Sequence, residues 1–195
     1  MILASASPRR AAILEGLGIS FDVHPAHIHE SIVEGESPEE HALRLSTQKA
    51  LAVAHLHPGK WVLGGDTLVT IDGEILGKPR NSEHAVEMLL SLQGRTHQVV
   101  SALALVVPGV RPPHLEVLSD VQVTAVTFRP FGEETALPYA KTGEPQDKAG
   151  AYGIQGGGAA LVERIEGDYT GVVGLPVPLL LRFLEQAGKP YRFPD

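Results

Sequence analysis

Residues 1–4 form a short apolar run, and Ser7-Pro8 follows it closely. Serine favours the N-cap and proline the first helical position, so a strand should give way to a helix over residues 7–17, closed by Gly18. A second strand is predicted over 19–24. Ser37-Pro38-Glu39-Glu40 pairs an N-cap serine with a glutamate three positions on, a capping box. Ala42, Leu45, Lys49 and Val53 carry a long helix from there to His57-Pro58-Gly59. Apolar runs at 61–65 and 68–71 enclose Gly64-Gly65-Asp66-Thr67, which reads as a glycine-rich turn with Asp66 at a strand end. The run at 68–71 and its successor at 74–76 flank Asp72-Gly73, a strong hairpin signal.

In the second half, Asn81 or Ser82 caps a helix that runs to Leu92 and stops at Gly94. Residues 99–107 have the continuous apolar character of a buried strand, 108–114 form a Pro-rich turn, and 115–128 alternate as a strand does. Together they predict a long antiparallel hairpin. A weaker helical stretch at 133–140 contains Pro138. A strand over 159–165 and a helix over 176–187, ended by Gly188, complete the chain. The pattern is mixed α/β, read as one domain over 1–195 with two lobes.

Composition narrows the function. The chain has 195 residues, no cysteine and a net charge of −7. Without cysteine there is no disulfide, thiolate zinc site or cysteine nucleophile, which fits a cytoplasmic protein. The start, Met-Ile-Leu-Ala, has no basic region of the signal-peptide kind, and no apolar run reaches the length of a membrane span. The acidic balance lacks the basic stripe that nucleic-acid binding needs. A small phosphorylated ligand needs only a few local cations and stays compatible.

Those local cations stand in unusual places. Arg9 and Arg10 lie in the first turn of the first helix, where partial positive charge disfavours cations unless an anion binds there. Phosphate is the natural anion for such a helix end, and two solvated arginines are the plainer reading. Asp66 suits metal binding or general-base work, or a turn cap. Lys78, in Gly77-Lys78-Pro79, is a phosphate contact or a solvated loop lysine. Lys49 borders an apolar helix face, from which it reaches a phosphate or snorkels. Residues 147–158 are glycine-rich yet carry Tyr152, Ile154 and Gln155, so they are no flexible linker. The amides of such a loop cradle an anion or face a flat base. The spacing matches neither a P-loop nor a dinucleotide-binding fingerprint, and no G-x-S-x-G is present. His27-Ile28-His29-Glu30 is a poor zinc pattern, with no third ligand nearby.

Taken together, Leu3-Ala4-Ser5-Ala6-Ser7-Pro8-Arg9-Arg10, Gly65-Asp66-Thr67, Gly77-Lys78-Pro79 and the stretch from Asp147 to Gly156 resemble the Maf family of nucleoside triphosphate pyrophosphatases. Gly167-Asp168-Tyr169 and Val173-Gly174-Leu175-Pro176 extend the match over almost the whole chain. The resemblance implies an elongated mixed sheet with two lobes around a central cleft, similar to the inosine triphosphate pyrophosphatases. It implies cleavage between the α and β phosphates, with a divalent cation, Mg²⁺ or Mn²⁺, as cofactor. Asp66 then matches the proton acceptor, and Lys49 and Lys78 match catalytic cations. Asp66 and Glu30 match metal ligands. Ser5 and Arg10 match phosphate contacts, and Arg9, Thr67 and Gln155 match residues of base choice.

Thr67 together with Ile154-Gln155 is similar to the branch acting on dTTP and UTP rather than the one acting on 7-methyl-GTP. Gly65 departs from the alanine frequent in the family, a change expected to widen the turn. The resemblance also allows a homodimer. A second reading follows from the family's association with septum formation: a nucleotide-binding regulator of cell division without turnover. Asp66 and Lys78 favour turnover, since a binder needs no general base.

Overall fold

The helices begin where their caps form. In the computed structural model, which describes residues 1–108 and 115–194, Ser7 Oγ accepts the Arg10 N–H at 3.4 Å and opens α1 (Pro8–Gly16). Both arms of the capping box close at the start of α2 (Pro38–Leu56). The Glu40 N–H donates to Ser37 Oγ at 3.2 Å, and the Ser37 N–H donates to Glu40 Oε2 at 2.9 Å. Asn81, not Ser82, caps α3 (Ser82–Leu92), with its Oδ1 accepting from the His84 N–H at 2.8 Å. Each cap satisfies an amide that the helix itself leaves orphaned.

Seven strands make one mixed sheet. β1 (Ile2–Leu3) pairs in parallel with both β2 (Asp22–Val23) and β3 (Val62–Ile71). β4 (Glu74–Leu76) returns antiparallel along β3 through the predicted Asp72-Gly73 turn. Both turn residues have left-handed φ, +54° and +83°, as a two-residue hairpin demands. β5 (Thr96–Pro108), β6 (Leu115–Phe128) and β7 (Val162–Glu166) follow, and the order is β2-β1-β3-β5-β6-β7 with β4 branching from β3. The Pro-rich turn predicted over 108–114 lies, except for Pro108, outside the described residues.

The chain divides into two compact units, 1–66 with 101–122 and 174–195, and 67–100 with 123–173. In the first, strand alternation sends alternate residues to opposite faces. Leu3, Leu63, Leu103 and Leu105 pack with Leu14 of α1 and with Leu180 and Phe183 of the last helix (Val177–Gln186). Ile2, Ala4, Val62, Ala104 and Val106 pack on the other face with Ala50, Val53 and Ala54 of α2. In the second unit, α3 packs against α4 (Glu133–Lys141), and Phe128 and Tyr152 meet edge to face at 4.7 Å. α5 (Tyr169–Val173) precedes the last helix, α6. Among the described residues no helix is long and apolar enough to cross a membrane.

Several predicted boundaries move: the strand expected over 19–24 is only Asp22–Val23, and the one expected from 99 starts at Thr96. Residues 159–161, expected to open a strand, belong to a 3-10 turn over Gly157–Leu161, and β7 starts at Val162. More consequentially, Gly64-Gly65-Asp66-Thr67 is not a turn: β3 runs unbroken through it. Its glycines supply space rather than a bend. A Cβ on Gly64 would sit 2.3 Å from the Ser46 carbonyl and 2.7 Å from the Ala50 nitrogen, both in α2. Neither glycine has a positive φ. The bare backbone lets α2 settle directly on the strand. Gly65 therefore widens no turn, and a Cβ there would press Arg10 Nε at 3.1 Å.

Candidate active site

Close approach of α2 to β3 sets up the first group. Lys49 follows Ser46 by three positions, so it lies on the helix face that meets the strand. Asp66 follows Gly64 by two and so shares that strand's α2-facing side. Lys49 Nζ donates to Asp66 Oδ1 at 2.7 Å, and the same ammonium lies 2.8 Å from Glu30 Oε1. Lys49 thus does not snorkel to solvent. Its side chain is 11% exposed and that of Asp66 12%, against 56% for Glu30, so two carboxylates share one sequestered cation, one from inside and one from the solvent side. The shared ammonium offsets the cost of burying Asp66 as an anion.

The residues after Glu30 are tied down by a cluster that the sequence did not announce. Arg44 of α2 forks onto Glu36, with Nε to Oε1 at 2.6 Å and Nη2 to Oε2 at 2.7 Å. It also donates to the Ser31 carbonyl at 3.1 Å, and His41 Nδ1 adds a contact to Glu36 at 2.9 Å. Arg44 above all, with His41, holds the Glu36 carboxyl down at about 2. Ser31, the neighbour of Glu30, is fastened to α2 in this way.

The helix-end arginines divide. Arg10 is buried: Nε donates to the Gly174 carbonyl at 2.7 Å and Nη1 to Ser5 Oγ at 2.8 Å. Burial lowers its pKa, and the charges of Asp66 and Glu30 work against that shift. Ser5 Oγ also accepts the Ser7 N–H at 3.2 Å. The strand-to-helix turn and the Arg10 guanidinium thereby hold each other. Arg9 is half-buried. Gly174 has φ +129°, a conformation that side chains rarely adopt. Its motif was visible in sequence, but its carbonyl's role was not.

The second unit holds Thr67, Lys78 and Gln155. Thr67 follows Asp66 in β3 and is half-buried, while Lys78 and Gln155 are exposed. The Gly150 N–H donates to the Gly77 carbonyl at 3.1 Å, joining the segment before Lys78 to the glycine-rich stretch. Gly150 has φ +69°, and a Cβ there would lie 2.9 Å from Val69 Cγ2. The loop amides read as a cradle for an external anion are partly occupied from within. Glu144 accepts from the Gly157 N–H at 2.9 Å and the Gly158 N–H at 3.3 Å.

A metal site needs donors of the right chemistry. Asp66 and Glu30 offer the hard carboxylate oxygens that Mg²⁺ and Mn²⁺ prefer, and they converge on one point already neutralised by a cation. The donor chemistry suits a divalent ion, and in this structure the point of convergence is held by the Lys49 ammonium. Among the described residues, no group of three or more His, Cys, Asp or Glu side chains could hold a metal by itself. His27 and His29 accordingly form no such group.

Known proteins match along nearly the whole chain. A dTTP/UTP pyrophosphatase of Desulfotalea psychrophila is 47% identical over 186 residues, covering 94% of this chain and 92% of that protein. One of Symbiobacterium thermophilum is 47% identical over 190 residues, covering 97% and 95%. One of Myxococcus xanthus is 47% identical over 190 residues, covering 97% and 93%. The family described as Maf-like protein matches residues 1–187, a span that takes in the Arg10–Ser5 helix end, the Lys49–Asp66–Glu30 group and the glycine-rich loop, and the chain belongs to that family.

Proposed function

We propose that this protein hydrolyses dTTP and UTP to the nucleoside monophosphate and pyrophosphate, with Asp66 as the proton acceptor. The observation that carries the reading is Asp66 itself: a sequestered strand carboxylate held through Oδ1 by Lys49, beside the charged guanidinium of Arg10. The names of the similar proteins support the substrate class.

The reaction asks for three things. Water must lose a proton as its oxygen bonds the α-phosphorus. The bond from that phosphorus to the α–β bridging oxygen must break, and the pyrophosphate must leave with its charge balanced. Lys49 fixes the Asp66 carboxylate, leaving Oδ2 to take the proton from water. Arg10, itself fixed by Ser5 and Gly174, and Lys78 offset charge on the phosphate oxygens. The positive end of the α1 dipole adds to this. Asp66 and Glu30 would hold the divalent cation, Mg²⁺ or Mn²⁺, which when bound neutralises phosphate charge and favours the departing pyrophosphate. Arg9, Thr67 and Gln155 read the base. The Gln155 amide offers both a donor and an acceptor for the O4 and N3–H edge of uracil or thymine.

A nucleotide panel assayed for pyrophosphate release with Mg²⁺ and with Mn²⁺ tests the reading. Release from dTTP and UTP, abolished by chelator, is the expected result. Tight nucleotide binding with no pyrophosphate would make the protein a binder without turnover.

A further inference from the structure

The glycine-rich loop is clamped at both ends by one pair of side chains, Tyr139 and Glu144. The Gly153 N–H donates to Tyr139 Oη at 3.0 Å. That hydroxyl donates in turn to Glu144 Oε1 at 2.9 Å. At the far end, the Gly157 N–H reaches Glu144 Oε2 at 2.9 Å and the Gly158 N–H reaches Oε1 at 3.3 Å. Gln155 lies between the two fastened ends. Lys148 steadies the clamp, its Nζ donating to the Glu144 carbonyl and to Asp147 Oδ1, both at 2.6 Å.

The glycines make room for this arrangement. A Cβ on Gly156 would stand 2.5 Å from Glu144 Oε2, and one on Gly158 would stand 2.6 Å from the Tyr139 hydroxyl. Burial opposes charge on Glu144, yet the Gly157 amide, the Tyr139 hydroxyl and the Gly158 amide hold its carboxyl below the usual range. The loop therefore already carries an anion on its own amides. A second anion, such as a phosphate, would meet that carboxylate's repulsion, whereas a neutral base would not. A neutral group therefore suits the clamped loop better than a phosphate does.

A base-reading amide has a particular weakness. Gln155 can turn over and present its donor where its acceptor stood, so by itself it suits cytosine as well as uracil. Discrimination needs groups whose direction is fixed, and the backbone of 153–158 is fixed by Tyr139 and Glu144. We propose that Tyr139 and Glu144 are positioning residues for nucleobase choice, holding the loop in the single shape that presents Gln155 and its neighbouring amides to the base. This rests on the reading of Gln155 as a base contact.

The test compares kcat/KM for dTTP and CTP in the parent, Tyr139→Phe, Glu144→Gln and Gln155→Ala. Amide hydrogen exchange is followed at Gly153, Gly157 and Gly158. Tyr139→Phe keeps the ring and removes only the bridging hydroxyl, so it carries the test should Glu144→Gln fold poorly. Faster exchange at those amides is expected. The dTTP-to-CTP ratio should fall about fivefold or more, as specificity built on hydrogen bonds requires. Adding Gln155→Ala to either variant should give little further fall, because the residues act as a unit. A ratio unchanged in both clamp variants while Gln155→Ala lowers it would overturn the proposal and leave the Gln155 reading standing. A ratio lowered by the clamp variants but not by Gln155→Ala would overturn the Gln155 reading and, with it, the proposal that the clamp acts by presenting Gln155. No change in any variant would overturn both.

Discussion

Asp66 owes its environment to residues far away in sequence. Lys49, seventeen positions earlier, donates to one of its oxygens, and Glu30 shares that ammonium. The residue types were legible: a carboxylate beside glycines, a lysine on an apolar helix face, an arginine at a helix start. The pairings were not, because they depend on where α2 lands on β3. Of the two readings of Lys49, a phosphate contact or a snorkelling side chain, the second fails: its ammonium is held by Asp66 and Glu30. Arg44 and Glu36 escaped notice because surface-type residues in a charged stretch carry no periodic signal. Asp66→Asn keeps the size of the side chain and removes its basicity. Turnover should fall by about 10²-fold or more, the usual weight of a general base, with the urea midpoint little changed. Near-normal turnover would reduce Asp66 to a strand residue that pairs with Lys49.

Elements with strong end signals were read well. Capping serines, the capping box and the Asp72-Gly73 turn each impose a local geometry with few alternatives. Short elements were missed, since α5 and the 3-10 turns are too brief to show a period. The misreading of 64–67 has a different origin. Glycine marks either an unusual φ or a missing Cβ, and a single sequence does not separate them. Here the missing Cβ matters, so Gly64→Ala should push α2 off β3. Overpacking of this kind costs about 1–3 kcal/mol. Because α2 carries Lys49, turnover should fall as well. Gly16→Ala is the control: it has open space around its Cβ position and no positive φ. It should leave stability equal or raise it by up to about 1 kcal/mol. Urea unfolding of the two variants checks the contrast, and a harmless Gly64→Ala would remove the close-packing argument.

At the scale of the whole molecule, the α/β class follows from alternating apolar runs and helices, while the sheet has seven strands because the runs at 61–65 and 68–71 join in β3. The fully buried His97 belongs to this scale because its charge state bears on folding. It stacks edge-on against Phe128 and Tyr152, and its Nε2 lies 2.8 Å from the Tyr152 hydroxyl. Burial lowers its pKa from 6.5 to about 4. The unfolded chain takes up this proton near pH 6.5, and the folded chain resists it until about pH 4. His97 therefore contributes stability above pH 6.5 that is lost as pH falls through 4. At about 1.4 kcal/mol per pH unit, the loss reaches about 3 kcal/mol. Urea unfolding of the parent and of His97→Phe between pH 7 and 4 isolates this share. The variant should lose less stability over that range, and equal losses would show that His97 is not the group responsible.

Cleavage at the α-phosphorus is tested most directly by following the oxygen of water. Hydrolysis of dTTP in ¹⁸O-labelled water should give labelled dTMP and unlabelled pyrophosphate. Label in the pyrophosphate, or release of dTDP with orthophosphate, would contradict attack at the α-phosphorus.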